Sequence, residues 1–542
     1  MADFTQDNIE TNARGRGIPP LLLIVFGILL GILFAPNTRS GRRAPDKVRE
    51  ALELIESEYV DDIPRDSLEE EAVRAILGTL DPHSSYLSVA DFEREESDMR
   101  GNFDGVGMVL RQFGDTVCVG QVIKGGPSSS LDILPGDRIL KVDTAVVSGA
   151  KIKIEDVVSM LRGPRRSSVD VTLYRLADAS THTVTIRRGV IPTPSLSYYG
   201  ILKPGIGYMR LARFTETSYD EVCQALDSLN KQGMKHLIFD LRSNSGGLLE
   251  TATSIVDEFL NSREPIVYTQ GAHQRRQTVH STRGGRFTQG PLTVVIDEWS
   301  ASASEIVAGA IQDNDRGEIV GRRSFGKGLV QRQCYFKDGS AMFLTIARYY
   351  TPSGRCIQRP YANGTKSYYS DFIDRVTDEV LSNSPSLDIA DSTPYYTLRQ
   401  HRTVYGGGGI YPDRNIAYQK DSLLTYYNSL INKQVISLFS LDYVSRHAKE
   451  LLTQYPTGSD FCSGFVVDDK LFEAMLRMAD SEGIARNRQC IAAYGNEMRA
   501  YIKAYIAESL YDNYTFYRIT LPYDHDMQQV LSGAKSYNQL SQ

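Results

Sequence analysis

Two hydrophobic periodicities alternate along the chain. Val48, Ala51, Leu52, Leu54 and Ile55, then Leu68, Ala72, Val73, Ile76 and Leu77, recur at helical spacing and predict a small helical region. It ends in the turn Asp81-Pro82-His83-Ser84-Ser85-Tyr86-Leu87, where Pro82 forbids further helix and His83 reads as structural rather than catalytic. From about residue 101 to 188 the period shortens, giving strands at 106–110, 117–122, 139–142 and 169–174 between Gly and Pro turns, with one helical stretch at 154–161. From about 192 to 350 strand-like and helical runs alternate, as in an α/β domain. The run 236–241 ends in Arg242-Ser243-Asn244-Ser245-Gly246-Gly247 before a helix over about 248–260. The run 292–297 ends in Trp299-Ser300-Ala301-Ser302-Ala303-Ser304 before a helix beginning near Glu305. Beyond Tyr411-Pro412-Asp413, helical patterns at 418–431 and 471–478 point to an extension whose role the pattern leaves open: packing on the core, assembly or partner binding.

One segment breaks both periods. Residues 17–38 carry no charge and 21–35 are almost purely apolar, with Arg14 and Arg16 before and Arg39, Arg42 and Arg43 after. At about 1.5 Å per helical residue the stretch roughly spans a hydrocarbon core. With no evident cleavage site and no following Cys, it predicts an uncleaved signal anchor, and hence an exported chain. Basic residues on both flanks leave the charge rule for orientation undecided.

Composition narrows the partners. A net charge of -6 gives no electrostatic reason to expect nucleic acid. Cys118, Cys223, Cys334, Cys356, Cys462 and Cys490 show no paired C-x-x-C spacing, which argues against a zinc site. Cys334 with Cys356 and Cys462 with Cys490 are the nearest candidates for disulfides, with buried free thiols the alternative.

Both strand-to-helix junctions put small residues where backbone N–H groups are free at a helix start, a setting suited to an oxyanion. Ser302 sits in the second. A Ser there is ordinarily a helix cap, and Ser300 and Ser304 compete for that role. What changes the weighting is Ser324-Phe325-Gly326-Lys327-Gly328-Leu329-Val330-Gln331. A Lys between glycines and beside apolar residues is set for desolvation, which favours the neutral amine and lets it act as a general base, with Gln331 in reach to orient it. A phosphate-binding Lys is the competing reading, but Gly328 stands where the Walker pattern needs Ser or Thr. In the short-strand region, Gly105-Val106-Gly107-Met108 precedes a strand. Its N–H groups would hold a peptide's terminal carboxylate while the peptide adds to the sheet edge; the alternative is an ordinary glycine turn.

Gly125-Gly126-Pro127, Leu134-Pro135-Gly136-Asp137-Arg138-Ile139 and Leu161-Arg162-Gly163-Pro164, in that order, resemble a PDZ domain of the protease type. The strings Asp240-Leu241-Arg242-x-Asn244-x-Gly246-Gly247, Ser300-Ala301-Ser302-Ala303-Ser304-Glu305 and Gly326-Lys327-Gly328-x-x-Gln331 resemble the C-terminal processing, or tail-specific, serine proteases over roughly residues 45–415. The resemblance implies Ser302 as nucleophile, Lys327 as base, Gln331 as its support, and oxyanion donors from Ala303 and from Gly246 or Gly247. Ser245 departs from the pattern, since many relatives have another glycine there.

The resulting expectation is an α/β (α+β multidomain) chain. It comprises a tail and anchor (1–43), a helical region (44–97), an inserted PDZ-like β-domain (98–190), a crotonase/Clp-like protease core of strand-turn-helix units (191–415) and a helical extension (416–542). The expected activity is that of a serine endopeptidase cleaving exported proteins near C-terminal tails held by the PDZ-like module. No metal or cofactor is called for, and self-association is left open. The expected location is the bacterial inner membrane with the catalytic part in the periplasm. The competing classes are a catalytically dead scaffold that binds peptide tails and a crotonase-like acyl-CoA enzyme.

Overall fold

The computed structural model describes residues 46–149, 152–282, 284–382, 391–419 and 421–540. The apolar segment 17–38 lies outside them; among the described residues no helix is long and apolar enough to cross a membrane. The chain divides into Met1–Val73 and Arg74–Gln542. In the first, the helix Lys47–Glu58 is capped by Asp46, whose carboxylate accepts the Arg49 N–H.

The second unit is built on a six-stranded sheet. The strands Ile206–Leu211, His236–Asp240, Leu292–Ile296, Glu318–Gly321 and Arg414–Asn415 run parallel in that order, and Leu196–Lys203 is antiparallel at one edge. His236–Asp240 and Leu292–Ile296 are buried at every position, the continuous pattern of parallel strands covered on both faces. Alternate residues go to opposite cores. Leu237, Phe239, Leu292, Val294, Ile296 and Ile319 join the cluster that includes residues of the helices Ser218–Lys231, Leu249–Asp257 and Ala303–Asp313. Ile238, Val295 and Val320 join Leu521, Met527 and Val530 on the other face. The C-terminal extension is therefore the second cover of the sheet. The pattern at 418–431 becomes helix only at Leu424, and upstream of it Arg414–Asn415 pairs with the sheet edge beside Val320 and Gly321.

An ion network fastens that cover. Asp240, fully buried, accepts from Arg242 Nη2 at 2.6 Å and Arg210 Nη1 at 3.1 Å, and Arg242 reaches Asp524 at 2.7 Å. The two guanidiniums hold the Asp240 carboxyl well below the usual range against the opposing effect of burial. A depressed carboxyl contributes stability that is present above its unfolded pKa, about 4, and is lost as pH falls. Arg242→Ala strips Asp240 of one partner and the extension of its tie. It is expected to cost about 3–5 kcal/mol in denaturant unfolding, and a loss under 1 kcal/mol would show that Arg210 suffices.

A second sheet, with strands Ser85–Leu87, Pro265–Gln270, Gln277–His280, Leu329–Tyr335 and Ala341–Tyr350, lies within the same unit. The PDZ-like module hangs between the antiparallel strands Asn102–Gly105 and Gly189–Pro192. Its own sheet runs Met108–Phe113, Thr116–Val122, Arg138–Val142, Ser168–Arg175, Ser180–Arg187, with the short strand Ala145–Val146 beside Arg138–Val142. The first strand starts at Met108 rather than Val106 because Gly107 has φ +81°, which breaks the extended run. The helix Ile154–Leu161 forms where its spacing places it. All six cysteines carry free thiols, so neither candidate pair is bridged.

Candidate active site

Ser302 occupies the turn between Leu292–Ile296 and Ala303–Asp313 with φ +53° and ψ -111°. Such a backbone costs a non-glycine residue about 1–3 kcal/mol and persists only where neighbours hold it. Here the Asn244 carbonyl oxygen accepts from Ala301 N–H (3.0 Å) and Ser304 Oγ (2.8 Å), and the Ser302 N–H donates to Glu305 Oε2 at 2.8 Å. Gly246 lies directly against the turn, since a Cβ there would stand 2.8 Å from Ser302 Cβ. The neighbouring serines are spent on structure: fully buried Ser300 donates to the Leu241 carbonyl, and Ser304 to that of Asn244. Ser302 instead faces a cavity of about 770 Å³ that it shares with Lys327, Gln331, Ala303, Gly246 and Gly247.

Lys327 precedes the strand Leu329–Tyr335 and donates from Nζ to Gln331 Oε1 at 3.2 Å, as i and i+4 of one segment. Burial pulls its pKa down, and the carboxyl of Glu305 partly opposes this. Gln331 Nε2 donates in turn to the His83 carbonyl oxygen. That carbonyl is held by the Asp81 turn, whose carboxylate accepts from His83 N–H, Ser84 N–H and Ser84 Oγ at 2.6–2.8 Å. The imidazole itself lies 3.1 Å from the Tyr368 hydroxyl, and burial together with the Lys327 charge pushes its pKa down to about 3. His83 thus serves through its backbone.

Glu305 is the residue that sequence reasoning passed over. It is fully buried, and each of its oxygens accepts twice: Oε1 from Ser324 Oγ (2.6 Å) and Gly326 N–H (2.7 Å), Oε2 from Ser302 N–H (2.8 Å) and Lys327 N–H (2.9 Å). Burial raises its pKa to about 7 despite these donors. The pattern Ser302-x-x-Glu305 is a capping-box signature, which was the available signal; the reach to Lys327 is tertiary. The Tyr349 hydroxyl, 2.6 Å from the Lys327 carbonyl oxygen and 3.1 Å from that of Ser302, reinforces the same junction and left no trace in the pattern.

The two glycines differ as donors. The Gly246 N–H is taken by Asn244 Oδ1 at 2.9 Å. Among the described residues no acceptor meets the N–H of Gly247 or of Ala303. Gly246 therefore makes room for Ser302, and Gly247 and Ala303 present open donors to the cavity.

A separate cavity of about 410 Å³ lies between Gly105, Val106, Gly107 and Met108 on one side and Ile154 and Val158 on the other. The Val106 carbonyl accepts from Ser128 N–H at 3.0 Å, so in the same trans peptide the Gly107 N–H points the opposite way and meets no acceptor among the described residues.

Residues 205–366 match peptidase family S41, 119–175 match the PDZ domain, and 426–512 match a family of unknown function. A carboxy-terminal-processing protease of Bartonella bacilliformis is 36% identical over 312 residues, 56% of this chain and 70% of that protein. The carboxy-terminal processing protease CtpA of Bacillus subtilis is 29% identical over 329 residues, 60% of this chain and 70% of its own length. A solved structure titled photosystem II D1 C-terminal processing protease aligns with a TM-score of 0.34 at 30% identity, covering 57% of this chain and 89% of that one.

Proposed function

The chain belongs to the carboxy-terminal processing serine proteases of peptidase family S41 and carries their PDZ domain, and from that membership we propose a Ser302–Lys327 dyad that cleaves proteins whose C-terminal tails the PDZ domain holds. The observation that carries the dyad is the placement of Lys327: partly desolvated, depressed in pKa, tethered through Nζ to Gln331 and sharing a cavity with Ser302. In its neutral form the Lys327 amine takes the Ser302 proton as Oγ attacks the peptide carbonyl. The N–H groups of Ala303 and Gly247 receive the developing oxyanion. The protonated Lys327 then gives its proton to the leaving amine, and a water deprotonated by the same residue releases the acyl-enzyme. Gln331, anchored on the His83 carbonyl, keeps Nζ from swinging out. The segment 17–38 supports a membrane tether; the catalytic part is placed in the periplasm of a bacterial cell on the ground of the proposed tail-processing function, not of the flanking charges.

Incubation with a disordered protein, once with a free and once with an amidated C-terminus, tests the reading by mass spectrometry of new termini. Cleavage is expected to be at least several-fold faster for the free carboxylate. Equal rates would separate the PDZ groove from substrate capture, and no new termini from either substrate would count against the peptidase reading itself.

A further inference from the structure

The strand Met108–Phe113 ends the order of the PDZ sheet, so its outer edge is unpaired, and an extended peptide would add there. Side chains of an added strand alternate between the two faces of the sheet. One set enters the groove beside Ile154 and Val158. The other set meets a second cavity, of about 890 Å³, between Val109, Arg111 and Gly120 of the PDZ sheet and the C-terminal helices. Leu110 and Ile154 line both cavities, so the two adjoin along this edge. On the helical side, Tyr501, Tyr505 and Glu508 stand at i, i+4 and i+7 of the helix Arg488–Leu510 and form one stripe into this space, with Tyr427 beside them. Glu508 has no hydrogen-bond or ion-pair partner among the described residues, although burial opposes its charge and Arg111 is the cation facing it. Glu497, paired with His525, adds a further carboxylate to the same wall.

We propose that the helical extension, whose matched family has no known function, is the second wall of the tail-binding groove and selects a lysine or arginine in the substrate tail at positions alternating with those that enter the PDZ groove. An acidic, aromatic-lined cavity suits a side chain with an apolar stem and a cationic head, which gains both the Glu508 charge and the ring faces. This rests on the PDZ domain capturing free C-termini.

The test uses the full chain with Ser302→Ala, so that peptides bind without being cut, and fluorescence anisotropy of labelled peptides with free or amidated ends. Lysine is scanned through the last six positions against alanine and glutamate. The expected result is about fivefold to tenfold tighter binding for lysine at every second position, lost in Glu508→Gln, with the affinity of the all-alanine peptide unchanged. Carboxylate-dependent binding without that alternation, a preference for glutamate, or a lysine preference that persists in Glu508→Gln would overturn the second wall while leaving tail capture intact. Indifference to amidation would overturn tail capture and this inference with it. Loss of all-alanine binding in Glu508→Gln would mark a damaged groove and likewise count against a selective role.

Discussion

Lys327→Ala is expected to lower kcat by about a thousandfold or more while the chain stays folded, because it removes the base of the proposed dyad from the cavity it shares with Ser302. His83, which the sequence reads as structural, also lines this cavity, but its imidazole packs against Tyr368 and Phe325. Lys327→Arg is expected to fail equally, since a guanidinium stays protonated. Ser302→Ala should match Lys327→Ala in rate, and the double variant should be no slower than either. Rates that multiply would show the two residues acting independently. Ser302→Gly adds a readout that a merely structural role of the turn would not share. It too is inactive, but a glycine adopts φ +53° freely, so it should be about 1 kcal/mol more stable than Ser302→Ala.

The pH dependence follows from the same burial. In the proposed dyad Lys327 acts as the neutral amine, so activity is expected to rise with pH through its depressed pKa. Between that value and the pKa of about 10.4 in the unfolded chain, the unfolded state binds more protons, so stability also rises with pH.

Much of the candidate site was legible because its residues lie in contiguous strings. Ser302 with its helix start, and Lys327 with Gln331 four residues on, are local strings. The PDZ helix Ile154–Leu161 was readable from its spacing and the central strands from their unbroken apolar runs. What was not legible is what joins those strings. The acceptor of the Gln331 amide is a backbone carbonyl 248 residues away, and a carbonyl has no residue type to recognise. The use of Gly246 for space and Gly247 for its N–H depends on where the Asn244 side chain points, which composition does not carry. The helical extension gave only a helical period; that Met527 and Val530 cover one face of the protease sheet is a tertiary fact.

Glu305→Gln is the change expected to disturb the most for its size. A single oxygen, Oε2, receives the N–H of both Ser302 and Lys327, so the carboxylate sets the spacing of the two residues of the proposed dyad. An amide places an NH2 against one pair of donors, leaving buried donors unsatisfied at a cost of about 1–3 kcal/mol each. A loss of about 3 kcal/mol or more in unfolding free energy is expected, with a fall in kcat and little change in KM. Two titrations separate positioning from mere stability. Because the folded Glu305 has its pKa raised to about 7, its stabilising contribution is present below the unfolded pKa near 4.5 and is lost as pH rises through 7. That slope should vanish in Glu305→Gln. The charge of Glu305 also raises the pKa of Lys327, so removing it should move the acid limb of the kcat profile to lower pH. An acid limb that stays in place would mean that Glu305 supports the fold without governing the base.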